Sequence, residues 1–471
     1  LEPRSIVVLD VGKTISKVTL VAVDGRVLAR FERPNHPREV DGLLRLDAHG
    51  IEQWLAGALA ALPGREKIGW IVPVAHGAAA ALVGPEGLRA LPLDYEQSLP
   101  DNVGAAYDIG RDAFAFTGSP RLANGLNLGA QLHFLEGRDF ALLDPATTIL
   151  LWPQYWAHLL CGVSVSEVSS LGCHSDLWRP TEGRPSTLSL ERGWADRLPP
   201  LRHAAEVLGR LRPAWAVRTG LPTDVRVLCG VHDSNAALLA ARGFPELAGR
   251  EATVLSTGTW FVAMRNPASP IGLDSLASDR DCLANVDVDG RSIPSARFMG
   301  GRELQLLVDA ELGAIDAPDL QERLIEAASA VVSARALVVP PVVPGSGPFP
   351  AGAMAWRERP DDPVHRAAAA VLYGALMTDV VLGLIGTRER LVVEGRFSRV
   401  PLLVRAIAAL RPDLEIFIAP AGLDLVYGAC RLVRPDMAPP SALERVDPLA
   451  LDLTEYRRVW QGRAGHRQVV A

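Results

Sequence analysis

The stretch that decides the fold is Ile6-Val7-Val8-Leu9-Asp10-Val11-Gly12-Lys13-Thr14, followed by Lys17. Four consecutive apolar residues ending on a carboxylate read as a buried strand, and the glycine behind it reads as a tight turn. Such a turn lets backbone N–H groups converge on phosphate oxygens, because no Cβ blocks the approach. Lys13, Thr14 and Lys17 add donors and positive charge, and Asp10 stands where a magnesium ion bridging phosphates needs an oxygen ligand. The plainer reading of Asp10–Thr14 is a hairpin turn with no ligand at all.

The same layout returns half a chain later. Thr253-Val254-Leu255 leads into Ser256-Thr257-Gly258-Thr259-Trp260, and before it stands Gly230-Val231-His232-Asp233-Ser234-Asn235. Two such turns facing each other across a cleft could hold a nucleotide triphosphate from both sides, with a carboxylate beside it. Gly12-Lys13-Thr14 also imitates the end of a P-loop. That motif needs a further glycine at position 7, where Val7 stands, and a helix after Thr14, where the pattern is that of a strand.

Outward from the first turn, Ser5–Leu9, Lys17–Val23 and Arg26–Glu32 read as strands, the last two joined by Asp24-Gly25, a strong hairpin signal. Ile51–Leu62 has helical spacing and Lys67–Val74 reads as another buried strand. A similar unit restarts at Thr253–Ser256, with return strands at Phe261–Met264 and Leu283–Val288 and a helix over Gly301–Leu312. The expected architecture is α/β, in two related domains joined near Gly243–Arg250. Pro340–Gly352 reads as a loop.

Length and composition agree. The 471 residues exceed the usual size of a single domain. At 48% hydrophobic and 22% charged, the chain can bury large cores. A net charge of −6 argues against a nucleic-acid partner, which needs a concentrated basic face. Five cysteines (Cys161, Cys173, Cys229, Cys282, Cys430) without a Cys-x-x-Cys pair fit reduced thiols in a cytosol. The first apolar run is broken by Asp10, unlike a signal peptide. Ala367 to Ile385 carries Thr378 and Asp379 and reads as a buried helix rather than a membrane span.

Asp233 opens a helix that continues through Ser234-Asn235-Ala236-Ala237-Leu238-Leu239. Taken alone it reads as a cap or a first-turn charge that complements the helix dipole. Between two phosphate turns it gains a second reading, since phosphoryl transfer to a hydroxyl needs a carboxylate within reach of the attacking oxygen.

Together, Asp10-Val11-Gly12-Lys13-Thr14 with Lys17, Gly230-Val231-His232-Asp233, Ser256-Thr257-Gly258-Thr259-Trp260 and Val393-Glu394-Gly395 resemble the FGGY carbohydrate kinases from about residue 5 to 435. Trp152-Pro153-Gln154-Tyr155-Trp156, Ser166-Glu167-Val168 and Leu171-Gly172-Cys173-His174-Ser175-Asp176-Leu177-Trp178 resemble the rhamnulokinase and L-fuculokinase branch. The resemblance implies two ribonuclease H-like domains of the actin-like ATPase type with a cleft between them. Residues 1–246 would be the N-terminal domain, with sugar and catalytic base, and 247–471 the C-terminal, nucleotide-binding domain.

It further implies Asp233 as catalytic base, with His232, Ser234, His76 and Gly77 on the substrate side. Gly12, Lys13, Thr14, Lys17, Gly258 and Thr259 would contact the phosphates of ATP, Asp10 would position Mg2+, and Gly395, with Ala421-Gly422, would face the adenosine. The expected partner is a small-molecule sugar, with neither nucleic acid nor membrane, and a homodimer would be unsurprising in that family.

Some positions depart from the family pattern. The usual double glycine near the adenine is Glu394-Gly395-Arg396-Phe397 here, the sugar segment reads His76-Gly77-Ala78-Ala79, and a region usually rich in Asn and Gly reads Ala296-Arg297-Phe298-Met299-Gly300-Gly301-Arg302-Glu303. His158, Cys161, Cys173 and His174 offer metal-ligand types without the spacing of a structural zinc site. Trp152, Trp156, Trp178 and Trp194 could floor a sugar pocket but suit core packing better. The expected reaction is ATP-dependent phosphorylation of a small ketose, a deoxyketohexose such as L-fuculose or L-rhamnulose, at a terminal hydroxyl. The rival readings are a kinase for xylulose, ribulose or erythritol, an actin- or chaperone-type ATPase, and a non-catalytic nucleotide-gated sensor of the same fold.

Overall fold

The computed structural model describes residues 4–419 and 425–466. The chain groups into two compact units, the first from residues 4–243, 284–292 and 425–440, the second from 244–283, 293–419 and 441–466. The linear reading divides the chain once, at 246 and 247, whereas the contacts return two later segments to the first unit. One of them, the helix Leu425–Val433, packs against the helix Asp233–Ala241. Gly428 makes this possible, since a Cβ there would run into the Ala236 carbonyl.

In the first unit, strand Ser5–Val11 is buried at every position. It lies between the antiparallel strand Ile15–Val21 and the parallel strand Ile68–Ala75, and Val27–Pro34 continues the antiparallel side. A strand buried on both faces needs an unbroken apolar run, which Ile6-Val7-Val8-Leu9 supplies. Beyond Ile68–Ala75 come the short strands Arg226–Leu228 and Val231–His232, both parallel to it. The Asp24-Gly25 hairpin closes with Gly25 at φ +90° and the Ala22 N–H on the Arg26 carbonyl at 2.8 Å. The helix Ala48–Ala60 is capped by Asp47, whose carboxylate accepts from the Gly50 N–H at 3.2 Å. Its apolar face joins a core that includes Val7, Leu9, Ile71, Trp152 and Trp156.

The second unit repeats the plan. Ala252–Thr257 lies between the antiparallel strand Phe261–Asn266 and the parallel strand Arg390–Gly395, flanked by Ser292–Phe298 on one side and Glu415–Ile418 on the other. The apolar helix Pro363–Leu384 forms its core, with Asp379 held by Arg457 at 2.8 Å. It is long and apolar enough to cross a membrane, and 83% of its apolar window is buried inside the protein.

The helix expected over Gly301–Leu312 runs Gly300–Leu307 instead. Val308 is extended and Asp309 turns aside to accept from Arg366 at 2.9 Å, so Ala310–Leu312 forms only a separate 3-10 turn.

Candidate active site

In the first unit, three parallel strands bring the site residues to one end of the sheet. Asp10 sits beside Val74 in register, Val231 beside Val74, and His232 beside Ala75. Asp10, the His76-Gly77 turn and His232-Asp233 therefore project from neighbouring carboxyl ends, where open α/β sheets bind their ligands. Asp10 is 6% exposed, and Lys17 stands opposite it in the strand register across the hairpin. The turn closes with the Gly12 N–H on the Ile15 carbonyl at 3.1 Å, and Thr14 is exposed. An added Cβ at Gly12 would stand 2.7 Å from the Ile15 carbonyl oxygen, so the hairpin itself requires glycine there.

Lys13 is held away from solvent. Its ammonium pairs with the fully buried Asp94 and, at 3.3 Å, with Glu96, and lies 5.0 Å from the centre of the Tyr95 ring. Tyr95 in turn meets His76 edge to face at 5.7 Å, and His76 packs 6.4 Å from Trp152. His76 Nδ1 lies 2.7 Å from the Gly77 carbonyl, and burial pushes its pKa below the ordinary value. Gly12, Lys13, Asn35, His76, Asp94 and Trp152 line one small recess.

His232 is 5% exposed and ends an extended stretch; Asp233 is the first residue of the helix Asp233–Ala241. Asp233 is thus a first-turn carboxylate, and it receives Ser234 N–H at 2.6 Å, Ser234 Oγ at 3.2 Å and His232 Nε2 at 3.1 Å, all on Oδ1. Cys173 Sγ lies 3.3 Å from the same His232 nitrogen, and Asn235 Nδ2 lies 3.3 Å from Nδ1. Burial lowers the His232 pKa, partly offset by the Asp233 charge, so the ring is neutral at neutral pH. An added Cβ on Gly77 would come within 2.6 Å of Cys173 Sγ and 3.1 Å of His232 Nε2.

In the second unit, Ser256–Trp260 turns between two strands, with the Gly258 N–H on the Trp260 carbonyl at 3.0 Å and Thr259 exposed. Gly258 has open space: the nearest atom to an added Cβ is 3.9 Å away. Glu394 and Gly395 adjoin this turn. Ser256 Oγ donates to the Glu394 carboxylate, Thr257 Oγ1 to the Glu394 carbonyl at 2.5 Å, and the Phe397 N–H to Thr257 Oγ1 at 3.1 Å. Gly395 adopts φ +84°, ψ −166°, a region essentially reserved for glycine. Arg302 and Glu303 are helix residues, and Glu303 is buried, accepting from Tyr373 at 2.8 Å. Ala421-Gly422 lie outside the described residues.

Asp94, Cys173 and Asn235 touch the candidate residues Lys13 and His232; in the sequence Asp94 and Asn235 carry no assigned role, and Cys173 only that of a metal-ligand type without the spacing of a zinc site. Asp94 meets Lys13 across 81 positions, with no local signal. Asn235 carried one, its helical spacing from His232. Trp152, Trp156 and Trp194 are all within 1% of full burial, and of these Trp152 borders the recess.

The two units repeat one sheet plan, a central strand between an antiparallel partner and a parallel one, and the fold is that of the actin-like ATPases. Residues 249–440 match the family described as "Carbohydrate kinase FGGY, C-terminal domain". A carbohydrate kinase from Novosphingobium aromaticivorans is 48% identical, over 99% of this chain and 100% of that one, with a TM-score of 0.95. A xylulose kinase from Rhodospirillum rubrum is 19% identical over 99% of each chain, with a TM-score of 0.81. A Plasmodium falciparum glycerol kinase is 9% identical over 98% of each chain, with a TM-score of 0.76. The last two share the fold. The chain belongs to the FGGY carbohydrate kinase family, and its reaction is phosphoryl transfer to a carbohydrate.

Proposed function

We propose that this kinase transfers the terminal phosphoryl group of ATP to a terminal hydroxyl of a small ketose, a deoxyketohexose such as L-fuculose or L-rhamnulose, with Asp233 as the base. The observation that carries the reading is the state of the Asp233 carboxylate. Oδ1 takes all three described hydrogen bonds, which leaves Oδ2 to accept the proton of the attacking hydroxyl. His76, Gly77, Asp233 and Ser234 would face the sugar in the first unit, with His232 acting behind Asp233.

Gly12, Thr14 and Lys17, with Gly258, Thr259 and Gly395, would hold ATP, Asp10 would hold Mg2+, and Lys13 would have to leave Asp94 and Glu96 to reach a phosphate. The open space over Gly258 and the exposure of Thr14 and Thr259 suit that role. When bound, the metal supplies positive charge to the phosphates and steadies the leaving group.

Charge favours a neutral sugar over a sugar acid. Lys13 is already matched by Asp94 and Glu96, and Asp233 stands nearby, so the surroundings of His76 are not built to attract a carboxylate. A five-carbon ketose or a polyol, such as xylulose, ribulose or erythritol, is the second reading, supported by the xylulose kinases that share the fold.

The test is ADP release with ATP and magnesium over a panel of deoxyketohexoses, pentuloses and polyols, with Asp233→Asn as control. We expect one deoxyketohexose to give the highest kcat/KM and the variant to lose nearly all transfer while still binding ATP. Near wild-type turnover by the variant would remove Asp233 as base. Silence over the whole panel with intact ATP binding would overturn the ketose reading, in favour of a sugar outside the panel first and a nucleotide-gated sensor second.

A further inference from the structure

We infer that His232 is a positioning residue for the catalytic base: it holds Asp233 through a proton on Nε2, and Asn235 fixes which ring nitrogen carries that proton. The inference rests on the reading of Asp233 as base and adds a role to its neighbours.

The argument starts from what the ring has left to offer. Asn235 Nδ2 lies 3.3 Å from His232 Nδ1, and an amide nitrogen can only donate, so Nδ1 is the acceptor. A neutral imidazole with an accepting Nδ1 carries its proton on Nε2. That nitrogen faces Asp233 Oδ1 at 3.1 Å and Cys173 Sγ at 3.3 Å. Both ring nitrogens are therefore engaged inside the protein, and the residue is 5% exposed. The backbone is fixed as well, since the His232 N–H donates to Ser169 Oγ at 3.3 Å, and Ser169 Oγ donates to the buried carboxylate of Glu167 at 2.6 Å.

The consequence lies at Asp233. A carboxylate at the first position of a helix can rotate about its side chain, and Ser234 restrains it only from its own backbone turn. The His232 Nε2–H adds a restraint from outside the helix, so Oδ1 is pinned and Oδ2 keeps one direction. Orientation errors of about 1 Å at a reacting group cost about a hundredfold in rate. His232 thus acts on kcat through Asp233, with little hold on the sugar.

Three variants in the 471-residue chain test this, using the best sugar of the panel. His232→Ala removes the donor. His232→Gln restores an N–H near the Nε2 position. Asn235→Leu removes the donor that holds the ring proton off Nδ1. We expect His232→Ala to lower kcat about a hundredfold and Asn235→Leu to lower it by a smaller factor. Sugar KM, and the sugar dissociation constant measured by calorimetry without ATP, should stay within about threefold, and His232→Gln should recover most of kcat.

Circular dichroism and melting curves would identify a variant that fails to fold, in which case the remaining two decide. A sugar dissociation constant raised tenfold or more by His232→Ala, with kcat retained, would make His232 a sugar ligand and overturn the inference. An unchanged kcat in folded Asn235→Leu would overturn the part assigned to Asn235. If Asp233→Asn kept its turnover, the base reading itself would fall; if only the His232 and Asn235 variants were silent, the base would stand and the positioning role would not.

Discussion

His232 and Asp233 are adjacent in the chain, yet their side chains share a hydrogen bond, Nε2 to Oδ1 at 3.1 Å. Adjacent residues in a strand point to opposite faces and in a helix diverge by about 100°. The contact exists because the backbone changes between them: His232 is extended, at φ −63° and ψ 138°, and Asp233 starts the helix. A strand-to-helix junction therefore brings the two together at the edge of the sheet.

The buried imidazole makes stability depend on pH with a definite sign. Burial lowers the His232 pKa below its ordinary 6.5, so below pH 6.5 the unfolded chain takes up a proton that the folded chain refuses. The contribution of this neutral ring is complete above pH 6.5 and is lost as pH falls below it. His232→Gln has no such proton. Melting temperatures from pH 7.5 to 5.5 should show the gap between wild type and His232→Gln narrowing as pH falls; parallel curves would mean that the histidine titrates alike in both states.

Gly77 is small because Cys173 and His232 occupy the space of a side chain. Gly77→Ala places its Cβ 2.6 Å from Cys173 Sγ and 3.1 Å from His232 Nε2. Overpacking of this kind costs about 1–3 kcal/mol, and here it also pushes on the ring that holds Asp233. We expect a lower melting temperature and a lower kcat, with Gly77→Ala/Cys173→Gly recovering part of both. No recovery in the double variant would mean that the sulfur is not the obstacle.

Lys13 and Asp94 should be strongly coupled. Lys13→Met leaves a fully buried carboxylate without its closest cation, a change that costs about 3–5 kcal/mol in buried pairs. Lys13→Met/Asp94→Asn removes the stranded charge, so the double variant should be more stable than the sum of the single losses. Denaturant unfolding of the four proteins measures the coupling, and additivity would mean the pair contributes little.

The glycines of the second unit separate folding from ligand approach. Gly395→Ala should cost about 1–3 kcal/mol, since φ +84°, ψ −166° is closed to a residue with a Cβ. Gly258 has room for a Cβ and needs no such conformation, so Gly258→Ala should change stability by less than about 0.5 kcal/mol. If the turn receives phosphate as proposed, the same variant should raise the KM for ATP about tenfold or more. An unchanged KM would remove Gly258 from the nucleotide site.

Much of this fold can be read from local pattern. Ile6-Val7-Val8-Leu9 could only be a strand buried on both faces, Asp24-Gly25 could only close a hairpin of the type seen, and Gly12 is demanded by the Ile15 carbonyl a few residues on. Asp233 at a helix start was equally legible, because carboxylates favour the first turn. What could not be read was partnership. Nothing near Lys13 points to Asp94, and nothing in the Leu425–Val433 pattern says that it packs against Asp233–Ala241.

The sequence by itself therefore determined the repeated strand–turn–strand units, the turns and the carboxylate at the helix start. Short-range sterics and the periodicity of apolar residues fix these within a few positions of the chain. Only the tertiary structure decided that Lys13 pairs with Asp94, that Cys173 and Asn235 bracket His232, and that a Cβ on Gly77 would meet Cys173 and His232. Those relations depend on which surfaces are buried against each other, and close packing makes that choice across distances in sequence to which local conformational preference is blind.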